Sequence, residues 1–129
     1  MANFAFELVS PERVLFSGSV TSVVVPAAEG EMTVLANHSP FMSAVRAGVV
    51  TVDNSQRLFV RGGFVDVSAS GLTLLAEQAM PVEEIDREKV AAEIKAADDE
   101  LKSASTDEAR AFASEKRADL EAMMAAISH

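Results

Sequence analysis

The sequence predicts an α+β chain, with a β-sandwich over residues 1–84 followed by an antiparallel helical hairpin over 85–129. Three observations predict it. Before Pro81 the apolar residues come in short runs, several of them alternating, and turn formers break the runs. After Pro81 their spacing becomes helical. Charge divides the chain at the same place: all four lysines (Lys89, Lys95, Lys102 and Lys116) lie in the second part.

The first strand is "NFAFELVS", where Phe4, Phe6 and Leu8 alternate with Ala5, Glu7 and Val9. "SVTSVVVPA" is β-branched and is expected to stop at Pro26. "MTVLA", "FMSAV" and "GVVTVD" follow at short intervals. A meander comes next. "VVTV" turns at "DNSQ" into "RLFV", "RGG" breaks the run before "FVDV", and "SASG" turns into "LTLLAE". Gly62-Gly63 reads either as a bulge or as a close backbone approach, in the latter case of a partner.

In the second part Val90, Ile94, Ala97 and Leu101 share one helical face, with Asp86 as N-cap. Ser105 followed by Glu108 matches a capping box that opens a second helix. Its stripe reads Ala109, Phe112, Leu120, Met123 and Ile127, interrupted by Lys116. A short connection makes the pair an antiparallel hairpin. The stripes are rich in alanine. Burying one methyl gives roughly 0.8 kcal/mol, against roughly 1.5–3 for a whole Leu or Phe. Ordering the backbone costs about 1–2 kcal/mol per residue. Such a hairpin stands close to balance, and a partner can select between two arrangements of it.

The formal charge is −9 with a pI near 4.6. That excludes a nucleic-acid binder, which needs clustered Lys and Arg, and opposes adsorption to an anionic membrane. With no cysteine there is no disulfide and no thiolate metal site. "MANFAFELVSPERVLF" lacks the pattern of a signal peptide, and no apolar segment approaches the ~18 residues of a membrane span. The expectation is a soluble, cytoplasmic chain.

One segment concentrates polar chemistry: "EGEMTVLANHSPFMSAVRAG", residues 29–48. Read for catalysis, His38 and Ser39 are sequence neighbours that a strand would point to opposite faces, and no nucleophile-elbow sequence is present. Read for metal, His38 and the terminal His129 give no short histidine spacing. Read as loops, Glu29-Gly30-Glu31 and Asn37-His38-Ser39-Pro40 are good turns that solvent or a partner can cover. No catalytic, metal or cofactor residue is assigned.

Taken together, "SPERVLFSGSVTSVVVPAAEGEMTVLANHSPFMSAVRAGVVTV", "RGGFVDV", "LTLLAEQA" and "IDREKVAAE" resemble the epsilon subunit of bacterial F-type ATP synthases, whose mitochondrial counterpart is delta. The resemblance covers essentially the whole chain. It implies a ten-stranded β-sandwich and a helical hairpin in a non-catalytic subunit of the rotating central stalk. It implies that the sandwich binds the gamma subunit and sits on the c-subunit ring, at the cytoplasmic face of the inner membrane. Glu31 and His38, with Glu29, stand at the positions of the c-ring contact loop. The hairpin is implied to lie beside the sandwich, or to extend along gamma to the alpha and beta subunits of the catalytic head and block ATP hydrolysis.

From Thr106 onward five acidic residues outnumber three basic ones, so inhibition would rest on apolar contacts from Phe112, Leu120 and Met123. Met123 and Met124 also offer an adaptable partner face. At the family's nucleotide motif Ile85 and Asp86 match, but Lys89 replaces an arginine and Val90 an alanine. Arg110 and Arg117 stand two turns apart. The resemblance therefore supplies no complete ATP site, and Asp86 reads as a helix cap. The competing reading is a free-standing β-sandwich binding module with a helical dimerisation arm.

Overall fold

The computed structural model describes residues 2–128. The chain forms two compact units, residues 1–82 and 83–129.

The first unit contains β1 (Phe4–Val9), β2 (Val14–Val20), β3 (Ser22–Ala27), β4 (Gly30–Leu35), β5 (Phe41–Ala44), β6 (Gly48–Val52), β7 (Gln56–Ser68) and β8 (Gly71–Pro81). They pair in the order β2-β1-β8-β7-β6-β3-β4, and β5 joins β7. Among the described strands only β1 and β8 run parallel. The sheet doubles back on itself. The first half of β7 pairs with β6, and its second half pairs with β5. The first half of β8 pairs with β1. One layer is thus β2-β1-β8-β7-β5, and the other is β8-β7-β6-β3-β4. Phe6, Leu8, Val23, Val50, Val65 and Leu74 are fully enclosed between them.

Among the described residues there are eight strands, not ten. β7 and β8 each pass through both layers, so four short strands merge into two long ones. The expected break at "RGG" is absent for the same reason. Gly62-Gly63 is also not a bulge in the β7/β8 pair: Arg61 faces Gln78 and Gly63 faces Ala76 in one unbroken register. The alternative reading, a close backbone approach, is what the chain adopts, and the approaching backbone is its own. Gly63 has φ +126°, and a Cβ there would lie 2.1 Å from the Leu75 carbonyl oxygen. β3 likewise runs through Pro26 to Ala27, opposite Glu31 and Gly30. Pro26 keeps its carbonyl available, and it accepts from the Arg46 N–H at 2.8 Å.

"SVTSVVV" divides at Thr21 into β2 and β3. The Asp53 carboxylate holds that corner, accepting from Thr21 N at 2.7 Å, Thr21 Oγ1 at 2.9 Å and Ser22 N at 3.1 Å. These donors hold its carboxyl below the ordinary value, the Thr21 N–H first. Asp53 and Asn54 both have positive φ, which short polar side chains tolerate in the β6–β7 turn.

The second unit contains α1 (Arg87–Ser103) and α2 (Asp107–Ile127), after a short 3-10 turn Val82–Glu84. Asp86 caps α1, accepting from Glu88 N at 3.0 Å and Lys89 N at 3.2 Å. α2 starts one residue later than the capping-box reading. Thr106 is its N-cap, accepting from Ala109 N at 3.0 Å, so Ser105 and Glu108 form no box. On α1 the expected stripe is the packed face: Val90 and Ala97 are buried, Ile94 and Leu101 half-buried. On α2 the expected stripe holds at Leu120 and Met123 but is turned at its start. Ala113, Leu120, Met123 and Ala126 are buried, while Ala109 and Phe112 are exposed. Small Ala113 permits a close approach that Phe112 would prevent. No helix among the described residues is long and apolar enough to cross a membrane.

Candidate functional site

The β3–β4 turn and strand β4 carry the acidic loop. In β4, Val34 is buried and Met32 half-buried, so the period of two turns Glu31, Thr33 and Leu35 outward. Glu29 and Glu31 are both exposed at the start of β4. His38 follows its far end, in a turn closed by the His38 N–H donating to the Leu35 carbonyl at 3.0 Å. From Glu31 to Leu35 the strand rises roughly 13 Å. Glu31 and His38 are therefore two separate exposed points flanking β4, not one ligand set or catalytic pair. No group of three or more metal-ligating side chains occurs among the described residues, and His129 lies outside them.

The sheet also builds a face that sequence reasoning missed. Register places Val14 opposite Val9, Val9 beside Leu75, Leu75 opposite Phe64, and Phe64 opposite Ala44. Their neighbours Leu8, Leu74 and Val65 point into the core, so this row points out. It crosses all five strands of one layer. Val14 and Leu75 are each 58% exposed and Phe64 43%. The next row carries Glu7, Thr73, Asp66 and Met42, the last 62% exposed. A shallow groove lined by Val9, Pro11, Leu75 and Glu77 continues the apolar band. Contiguous apolar side chains rimmed by carboxylates mark an interaction surface. One signal was visible in the sequence: in "LTLLAE", Leu75 breaks the alternation and must face away from Leu74.

On the hairpin, Phe112 is 69% exposed, whereas Leu120 and Met123 are 1% and 6% exposed. The three do not form one accessible face in this conformation. The two arginines of α2 are engaged locally. Arg110 pairs with Asp107 at 3.2 Å and donates to the Ala104 carbonyl at 3.4 Å. Arg117 lies against Asp98 and Glu121. Asp86, Arg110 and Arg117, three residues a nucleotide reading would use, thus all have structural partners.

A sandwich closed by long bent strands, followed by a two-helix unit, matches a known pattern. The family described as "ATP synthase, Delta/Epsilon chain, beta-sandwich domain" matches residues 3–82. The chain belongs to this ATP synthase delta/epsilon family. It is 47% identical over 127 residues to the ATP synthase epsilon chain of Maricaulis maris, covering 96% of each chain. It is 54% identical over 106 residues to that of a Rhizobium etli strain, covering 79% of this chain and 78% of the relative. Among solved structures it resembles a chain of the Euglena gracilis mitochondrial ATP synthase, in a structure of OSCP, F1 and the c ring. There the TM-score is 0.86 at 25% identity, over 98% of this chain and 82% of that one. A chain of the Tetrahymena thermophila central stalk and c ring shares the fold, with TM-score 0.66 at 13% identity over 98% and 97% of the two chains.

Proposed function

We propose that this epsilon-type chain is a non-catalytic rotor subunit of an F-type ATP synthase. It couples ion movement through the c ring to ATP synthesis by joining the ring to gamma, at the cytoplasmic face of the inner membrane. The observation that carries the proposal is the apolar row Val14–Val9–Leu75–Phe64–Ala44. A part that transmits torque needs a broad, stiff contact, and five hydrogen-bonded strands present this one. Gamma seats on the row, with basic residues of gamma facing Glu7 and Asp66 across its rim.

Glu29, Glu31 and His38 dock on the c ring from the two ends of β4. Each exposed charge contributes about 0–1 kcal/mol there, so these contacts set register while the gamma face supplies most of the affinity. The hairpin is the regulatory part. Phe112 is its accessible apolar contact in the closed form. Leu120 and Met123 join Phe112 against alpha and beta only after the helices rearrange.

The test is co-purification of the full chain with its own gamma subunit. Phe64→Asp or Leu75→Asp places a carboxylate in the middle of the row and should abolish the complex. Glu31→Gln should leave gamma binding intact and weaken only assembly onto the ring. Undiminished gamma binding by both row variants would refute the assignment of this face.

A further inference from the structure

The two helices bury Val90, Ala97, Ala113, Leu120, Met123 and Ala126; half of these are alanines, and a methyl group contributes far less than a leucine. Charge is concentrated in the middle of the helices instead. Arg117 Nε on α2 lies 2.5 Å from Asp98 Oδ1 on α1 and 3.3 Å from Glu121 Oε1 one turn along α2. Lys116 Nζ lies 3.6 Å from Glu100 Oε1. The Arg117 Nε is enclosed, yet its N–H is not aligned for a hydrogen bond to either carboxylate. At Nε the attraction is therefore one of charge.

The surroundings make that charge matter. α1 presents Asp98, Asp99 and Glu100 in succession, and α2 carries Glu115, Asp119 and Glu121 on neighbouring turns. Arg117 and Lys116 place positive charge between two acidic segments. Without it, Asp98 and Glu100 on α1 would have Glu121 on α2 as a like-charged neighbour.

We propose that Arg117, assisted by Lys116, is a latch that holds the hairpin closed, and that its release lets α1 and α2 part while each stays helical. Both helices are rich in Ala, Glu, Lys and Arg, so the helical state itself does not depend on the pairing. Raised ionic strength weakens the latch, because the participating side chains are between 37% and 52% exposed. The use of such a latch in regulation rests on the rotor reading above, but the latch is a property of the chain alone.

The absence of native cysteine makes the test direct. Spin labels are attached to A96C on α1 and A118C on α2, both exposed positions, and the distance between them is measured by pulsed EPR on the full chain. The expected result at low salt is one short distance. R117Q should add a long-distance population, raising the open-to-closed ratio about fivefold. About 1 M salt should do the same to the native chain. The charge swap D98R with R117D should restore the short distance. An unchanged distribution in R117Q, or a swap that fails to restore it, would overturn the latch. So would a loss of helix by circular dichroism in R117Q, since the node would then maintain folding and not pairing. Failure to bind gamma would refute the assembly reading and leave these distances unaffected.

Discussion

Gly63→Ala probes the corner on which the sandwich depends. Gly63 has φ +126°, and an added Cβ would stand 2.1 Å from the Leu75 oxygen and 2.8 Å from Ala76 Cα. Both are backbone atoms of β8, so no side chain can swing aside. Two costs add. Holding an L-residue in this region costs of order 1–3 kcal/mol. Forcing the strands apart costs about 1–3 kcal/mol more. The expected loss is therefore about 2–6 kcal/mol, a large share of a typical domain's stability.

Gly30→Ala is the control. Gly30 has φ +136°, but nothing lies within 4 Å of its added Cβ. It should incur only the conformational cost, about 1–3 kcal/mol. The chain has no Trp and no Tyr, so urea unfolding is followed by circular dichroism and by amide NMR signals of β7 and β8. A Gly63→Ala variant no less stable than Gly30→Ala would refute the claim that backbone approach dictates glycine at the corner. The functional consequence is equally specific. The corner sets the register that brings Phe64 beside Leu75, so Gly63→Ala should weaken gamma binding as well as folding.

Other predictions follow from the caps and the β2–β3 corner. Thr106→Ala should cost about 1 kcal/mol and Ser105→Ala almost nothing, measured as the urea midpoint of the helical signal. The Asp53 carboxyl is held below the ordinary carboxylate value by the Thr21 and Ser22 N–H groups. Its stabilising effect is complete above the unfolded carboxylate value and disappears as pH falls through the lower folded value. Asp53→Asn should therefore be less stable than the native chain at neutral pH. The difference should vanish once both are titrated well below 3.8, followed by urea unfolding across the acid range.

Much of the fold was legible in the residues. Alternation in "NFAFELVS" correctly placed Phe6 and Leu8 in the core, because a strand's side chains must alternate. Asp86 was readable as a cap because a helix start leaves N–H groups that only a short acceptor reaches. The start of the α2 face was misread, though Leu120 and Met123 were not: both Phe112 and Ala113 fit a helical stripe, and packing decides which turns inward. The eight-strand count was misread because local turn chemistry at Gly62-Gly63 looks the same whether a strand ends or bends. The exposed apolar row stayed hidden because its members come from strands up to sixty-six residues apart in sequence, joined only by register.

By itself, the order of residues determined the two-part architecture, the family and the acidic, cysteine-free character of the chain. These follow from period, spacing and composition, all of which are local. Tertiary structure alone decided which apolar side chains were left over for partners and which cation reached which carboxylate. A side chain's exposure depends on what the rest of the chain brings against it, and that is settled only when distant strands and helices pair.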